Sequence, residues 1–551
     1  MQPGGRRFDP CTLHFVILLT VLAAGLRIAT AFQGGLWADE GFFLSIADAP
    51  SWSSMLSFLA AHESHPPLFY ILMRAWISIF GDNDTAARFL SLLIGVSIVP
   101  AVYAVGARLL SSPVALFAAF LTAIAPSLTE HGSQLRPYGL LPLTALASCC
   151  FMVLSIDDAR LRNRIYYVVA TLCMVYTHHW AWLVVAGQHV AWVTVALTRR
   201  RGDMNALLKR WGLIWIAVGI GYLPWVAALL HQASSAGHGG IAVGSIADAA
   251  TVVLYGAFTF FSTVLPSRFH SPRVAAMVYV AAAVVGVLYV QRRDKHEGED
   301  IHSDVAVPVL TIVCVTAMVA AVALSPFSDM LWPRCIVTLL PLLALVFSEW
   351  GRRAWRRNER GGIAAVAAAL CCIVVANSAF EHYVLVTTPR SNSREAAGFI
   401  DANRNSSDLL VVAPDWYRPS LVRYLKSTGE LVEFPPSTTE GLVDFSNVWE
   451  RTSNPVNLER VLHAIERARS SNRRVWLVTS RSYLGNPSAG QLAEARERHQ
   501  PKPVTVQAVS TIRSSLMTSF GAPESAFSAR AREPLYDALV VYRYDPLDGR
   551  R

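Results

Sequence analysis

The chain has 551 residues, of which 53% are hydrophobic and 16% charged, with a mean hydropathy of +0.37. That balance excludes an ordinary soluble globular protein and puts most of the chain in lipid. The formal net charge of +9 does not point to nucleic acid, because the cations fall in short segments between apolar runs rather than along one soluble face. No disulfide framework is indicated either: all eight cysteines lie in or beside apolar runs.

In chain order, apolar runs of roughly 16 to 25 residues recur from residue 11 to residue 380, each able to cross or nearly cross a hydrocarbon core about 30 Å thick. The first, residues 13–32, follows Arg6 and Arg7 and ends in Ala29-Thr30-Ala31, in the manner of a signal peptide. Its full span length and the many spans behind it make a retained first span the better reading. The stretch 66–80 is about 15 residues long, too short for a full crossing, and is drawn as a juxtamembrane or re-entrant helix; 250–265 is treated likewise. Residues 166–197 are apolar except for Thr177-His178-His179-Trp180. Unpaired polar groups are not tolerated in lipid, so this reads as two short spans joined at an outer-surface turn.

The loops orient these spans. Arg160, Arg162 and Arg164, then Arg199, Arg200, Arg201, Lys209 and Arg210, then Arg292, Arg293 and Lys295, then the arginines from Arg352 to Arg360 mark cytoplasmic connections by the positive-inside rule. The cation-poor connections at 37–66, 129–138, 177–180, 231–249 and 325–332 face the other side. The alternation closes with about eleven spans, an odd number, which sends the C-terminus outside.

From residue 391 the composition becomes that of a globular α/β domain. Helical patterns at 394–402 and 458–469 alternate with β-rich runs at 409–412, 475–479 and 538–542, and predict a small open sheet flanked by helices. It has no glycine-rich phosphate loop, so nothing in it argues for a nucleotide. The expected architecture is mostly α: a polytopic transmembrane domain over 1–389 with juxtamembrane helices, and a soluble α/β domain over 390–551.

The residues equipped for chemistry lie in the outer connections. Trp37-Ala38-Asp39-Glu40-Gly41 puts adjacent carboxylates at a membrane surface, where ionisable groups need a reason; the plainer reading is that Asp39 caps the next helix. On the same side follow His65-Pro66-Pro67-Leu68-Phe69-Tyr70 and the segment from Gly81 to Phe89, with Arg88 opening the second full span. Further along come Leu135-Arg136-Pro137-Tyr138, Tyr176-Thr177-His178 and Pro333-Arg334-Cys335 with Pro341. The arginines have the alternative of interfacial snorkelling. His65, with His62 and Glu63, invites a metal reading, but the spacing is not that of the metalloprotease helix, and a structural role in starting the Pro66 helix competes with it.

In this order, over residues 15–345, these motifs resemble the GT-C superfamily of glycosyltransferases. The particular resemblance is to the protein O-mannosyltransferase, lipid A aminoarabinose transferase and Rgt-like galacturonosyltransferase group. Gln134 departs from it, standing where many relatives have an acid two residues before the arginine, and so do Cys335 and His179, where an aromatic is usual; Glu130 is near enough to replace the missing acid. The resemblance implies a GT-C fold and transfer of a sugar from a polyprenyl-phosphate donor to a hydroxyl of an extracytoplasmic lipid, glycan or protein. Asp39 would be the base, with Glu40 orienting the acceptor or Asp39 itself. Attack opposite the leaving group would invert the anomeric centre. Arg88, Arg136 and Arg334 would hold the departing phosphate, and His65, Tyr138, His178 and Glu130 would line the substrate site. The sequence establishes no cofactor, and a divalent metal on Asp39 and His65 stays an open alternative. The location expected is the inner (plasma) membrane with the C-terminal domain periplasmic or otherwise extracytoplasmic, surrounded by membrane lipids and without a nucleic-acid partner. A polytopic transporter or lipid-sugar flippase is the competing class, although transporter sites usually lie at the bilayer midplane.

Overall fold

The computed structural model describes residues 10–157, 160–199, 204–235, 303–324, 333–357, 362–437, 442–443, 447–497, 499–529, 531 and 538–547. The segment 250–265 and the basic cluster Arg292, Arg293 and Lys295 lie outside the described residues. The membrane part begins with α1 (Pro10–Ala31), α2 (Ala38–Ala47), α3 (Trp52–His62), α4 (Leu68–Phe80), α5 (Asp84–Leu109), α6 (Ser112–Ala123) and α7 (Pro126–Gly132). It continues through α8 (Leu140–Asp157), α9 (Leu161–Thr177), α10 (Ala181–Arg199), α11 (Met204–Ser235) and α12 (Ser303–Leu324). A single turn at Pro333–Ile336 leads to α13 (Leu340–Arg357) and α14 (Gly362–Thr387).

Six of the described helices are long and apolar enough to cross a membrane, or seven if the bent pair α6 and α7 forms one span. The chain is a multi-pass membrane protein. Part of the expected set of about eleven spans falls in residues 236–302, outside the described residues. α4 is a 13-residue helix, shorter than a span, and the long apolar stretch after Arg164 breaks at His178 into α9 and α10. Buried apolar side chains from α2 to α13 form one continuous core, in which Phe43 packs against Phe69 and Tyr70.

Local sequence sets the entry to each helix that matters for the site. α2 starts at an N-cap formed by Trp37, whose backbone N–H donates to the Glu40 carboxylate. Asp39 is therefore not the cap, as the plainer sequence reading had it; it occupies the first turn, where a carboxylate is favoured by the helix dipole. α5 starts at Asn83, whose side chain accepts from the Ala86 N–H, and this fixes Arg88 one turn into the span.

The C-terminal part carries a five-stranded sheet in the order β2-β1-β3-β5-β4, built from β1 (Leu409–Val412), β2 (Glu430–Glu433), β3 (Val475–Ser480), β4 (Ser525–Ser528) and β5 (Leu539–Tyr544). β1 is parallel to β2 and β3, and β5 is antiparallel to β3 and β4. Strand alternation splits the apolar residues between two cores. Leu409, Val411, Val475 and Leu477 pack on α16 (Pro455–Ser470) and α17 (Pro501–Phe520). Leu410, Val412, Trp476 and Val478 pack on α15 (Ser393–Asn403) and, through Tyr417, reach Ala38 of α2. This second face therefore turns toward the helix that carries Asp39.

The two parts are tied closely. Asp84, at the start of α5, binds Arg394 at 3.0 Å and Arg423 at 2.6 Å and accepts from the Tyr424 hydroxyl. Gly34 has φ +73, and a Cβ there would lie 2.2 Å from the Ser391 carbonyl oxygen, so only glycine lets the α1–α2 loop meet the chain leaving the last membrane helix.

Candidate active site

Three stretches of chain meet beside the ends of the membrane helices: the first turn of α2, the connection between α7 and α8, and the turn at Pro333–Ile336. Each contributes one charged side chain to a common cluster. Asp39, its side chain 25% exposed, accepts a hydrogen bond from Arg334 Nη1 at 3.1 Å and has Arg136 Nη2 at 3.9 Å. Arg334 also lies over the Tyr138 ring, 5.4 Å from its centre, a cation–π contact that steadies the guanidinium.

Arg136 is the unusual member. It is 5% exposed, yet its Nε and Nη1 have no hydrogen-bond partner among the described residues. Its remaining nitrogen reaches His65 Nε2 at 3.5 Å. Since a guanidinium can only donate, His65 Nε2 is the accepting nitrogen and Nδ1 carries the proton, which it donates to Glu63 Oε1 at 2.5 Å. Burial, then the charge of Arg136, hold His65 well below its ordinary pKa, whereas burial raises that of Glu63 against the opposing pull of Arg136. Imidazole in this pair is thus neutral, and it orients the arginine without competing for an anion.

His178 completes this side. Its ring meets His65 edge-on at 4.9 Å and Tyr138 at 5.9 Å, and its Nδ1 accepts from the Trp180 N–H. Burial and the neighbouring histidines keep it well below its ordinary pKa. His179 turns the other way, to Gln232 at 3.0 Å. Asp39, His65, Arg136, Tyr138, His178 and Arg334 therefore form one cluster.

Glu40, Arg88 and Glu130 form a second group with a different environment. Glu40 is fully buried; its Oε2 binds Arg88 at 3.2 Å, and its Oε1 binds the Leu135 N–H at 3.1 Å and Arg390 Nη1 at 3.2 Å. Arg88 spends its Nη2 on Glu40 and the Gly35 carbonyl, so it faces inward rather than toward a ligand. Glu130 accepts from Arg390 Nε at 3.3 Å and does not join Asp39. Arg390 is not among the residues that the sequence singles out, since it stands at the expected boundary between the two domains. The available signal is a cation just past the last apolar run, on the side that the positive-inside rule expects to be cation-poor.

Among the described residues no three His, Cys, Asp or Glu side chains converge as a metal-binding group. His62 packs at a tilt against the Phe58 ring, and His65 Nδ1 points at Glu63. What the cluster can do is bind an anion against two guanidinium groups beside a partly exposed carboxylate.

The arrangement has counterparts. Residues 64–225 match the family described as dolichyl-phosphate-mannose-protein mannosyltransferase. No curated protein sequence is similar enough to match. The structure is similar to ArnT from Cupriavidus metallidurans bound to undecaprenyl phosphate, with TM-score 0.55, 13% identity and 98% of each chain covered. It is also similar to the apo state of that protein, with TM-score 0.53, 14% identity, and 97% of this chain and 98% of the other covered. The chain has the GT-C fold. The family match covers residues 64–225 only, and the likeness to ArnT extends over the whole fold.

Proposed function

We propose that this protein transfers a sugar from a polyprenyl-phosphate donor to a hydroxyl of an extracytoplasmic lipid, glycan or protein, with inversion. The acceptor O–H gives its proton to the Asp39 carboxylate as its oxygen attacks the anomeric carbon. The bond from that carbon to the phosphate oxygen breaks, and the electron pair leaves on the phosphate, whose charge Arg136 and Arg334 stabilise. His65 and Glu63 hold Arg136, while Tyr138 and His178 wall the pocket. Glu40 acts from within the protein on the orientation of Asp39, and Arg88 neutralises Glu40 instead of touching the donor.

The observation that carries this reading is Arg136: a buried cation with two unused donors, beside a partly exposed carboxylate. Buried donors are as a rule paired; Arg27 also carries two unused donors, but among the described residues only Arg136 combines them with a position beside Asp39. ArnT, of similar fold, has been seen with undecaprenyl phosphate, which supports a lipid phosphate in that role. We further assign the boundary between the membrane domain (1–389) and the C-terminal domain (390–551), the latter outside the cytoplasm and the former in the inner (plasma) membrane. A purified chain offered polyprenyl-phosphate sugar and nucleotide sugar in parallel tests the proposal. Transfer from the lipid-linked donor is expected; transfer from the nucleotide sugar alone overturns it.

A further inference from the structure

We propose, building on the glycosyl-transfer reading above, that Arg390 is a positioning residue for this reaction. It acts through Glu40 to set Asp39 and Arg136 relative to each other, and it brings the docking of the C-terminal domain to bear on the site.

Asp39 and Arg136 lie far apart in sequence, Asp39 in the first turn of α2 and Arg136 in the irregular connection between α7 and α8. Glu40 follows Asp39 in the first turn of α2, and its Oε1 takes the N–H of Leu135, the residue before Arg136, at 3.1 Å. One carboxylate oxygen thus pins the base and the phosphate-binding arginine to a common point. Arg390 Nη1 donates to that same oxygen at 3.2 Å. Its Nε reaches Glu130 Oε1 at 3.3 Å, and its Nη2 reaches the Glu130 carbonyl at 3.1 Å and Ser133 Oγ at 3.2 Å. Those last contacts hold the end of α7 and the start of the loop that carries Arg136. A planar fork of donors can serve four acceptors in this way; an ammonium cannot reproduce the fork.

The position of Arg390 is itself set by the C-terminal domain. It stands between α14 and α15, on the strand of chain that passes Gly34. Ser393 Oγ donates to the Leu36 carbonyl at 2.6 Å, and the Leu36 N–H donates to the Tyr424 hydroxyl at 2.8 Å. The loop leading into Asp39 is therefore clamped on both sides of Leu36 by residues beyond the last span. Tyr424, with Arg423 and Arg394, in turn grips Asp84. Domain docking, the Arg390 fork, Glu40 and the pair Asp39–Arg136 are consecutive links of one bonded chain.

The test uses the purified full-length protein in lipid nanodiscs, reading thermal stability, kcat and KM for transfer from polyprenyl-phosphate sugar, and affinity for undecaprenyl phosphate. Misplacement of reacting groups by about 1 Å can cost about 10²-fold. R390M should therefore lose about that much kcat, and R390K about 10-fold, in protein that is folded. R390M removes the cation that Glu40 and Glu130 share, so it also loses stability; R390M/E130Q restores the charge balance. The double variant should regain thermal stability while kcat and undecaprenyl-phosphate affinity stay low, because the fork is still missing. A kcat that returns in step with stability, or folded R390K and R390M/E130Q within about 3-fold of wild type, overturns the inference alone. A wild-type chain that neither binds undecaprenyl phosphate nor transfers from the lipid-linked donor overturns the glycosyl-transfer reading and this inference with it.

Discussion

Replacing Arg136 by lysine keeps the positive charge and removes the geometry, which makes it an informative perturbation of the anion site. Arg136 donates weakly within the protein, to His65 at 3.5 Å and toward Asp39 at 3.9 Å, and two further donors are unused. A hydrogen bond to a charged group contributes about 1.5–3 kcal/mol. Lysine at this depth can point one compact ammonium at a phosphate but not two parallel N–H groups. Loss of one such bond in the transition state, about 2 kcal/mol, lowers kcat/KM by about 30-fold. Arg136→Met removes both bonds and the charge, and should cost at least about 10³-fold. Stability should move the other way or not at all, because the donor-free protein bears the desolvation of a cation whose bonds are unmade. Steady-state transfer kinetics and melting curves on the same purified samples check both halves. Arg136→Lys within about 3-fold of wild type, or an activity loss wholly explained by lost folded protein, would refute the reasoning.

Glu40→Gln should behave in the opposite sense. Glu40 is fully buried with Arg88, Arg390 and two backbone N–H groups on its carboxylate, and breaking such a pair costs about 3–5 kcal/mol, so a lowered melting temperature should accompany the lost activity. His65→Gln tests the protonation assigned to the Glu63–His65–Arg136 relay. Because the folded pKa of His65 lies well below 6.5, the unfolded chain binds the extra proton first as pH falls. Stability from this group is present above about pH 6.5 and is lost on acidification below it, and His65→Gln should flatten melting temperature over about pH 5 to 6.5; an unchanged slope there would contradict the assignment. Reporter fusions placed after Arg390 should register outside the cytoplasm, and activity from a cytoplasmic reporter alone would reverse the orientation.

Much of the fold is visible in the sequence because lipid and strand alternation impose simple patterns. The polar Thr177-His178-His179-Trp180 cannot sit in hydrocarbon, and α9 gives way to α10 at that point. The run at 409–412 coincides with β1, and 394–402 falls within α15 at Ser393–Asn403. Asp39, Arg136 and Arg334 were suspected because ionisable groups beside spans need a purpose, and the fold brings them together with His65, Tyr138 and His178.

The partition of the remaining charges was not legible. Arg88 and Arg136 look alike in sequence, each an arginine near the outer end of a span. Only the packing of α5 beside α2 gives Arg88 to Glu40, while the loop after α7 leaves Arg136 with unused donors. Glu40 and Asp39 are neighbours in sequence, yet a first helical turn points one into the protein and leaves the other partly exposed. Arg390 pairs with Glu40 across 350 residues, a separation over which hydropathy carries no information.

The central claim, that Asp39 is the base, is tested most directly by Asp39→Asn in purified protein given the lipid-linked donor and a hydroxyl acceptor. The amide oxygen can still accept from Arg334, now at 3.1 Å from the carboxylate, and Trp37 rather than Asp39 occupies the N-cap, so folding and melting temperature should be preserved. The proton-accepting charge is lost, and with it about 10²- to 10⁴-fold in rate. Asp39→Asn that is folded, binds the donor and transfers sugar at near the wild-type rate would contradict the account.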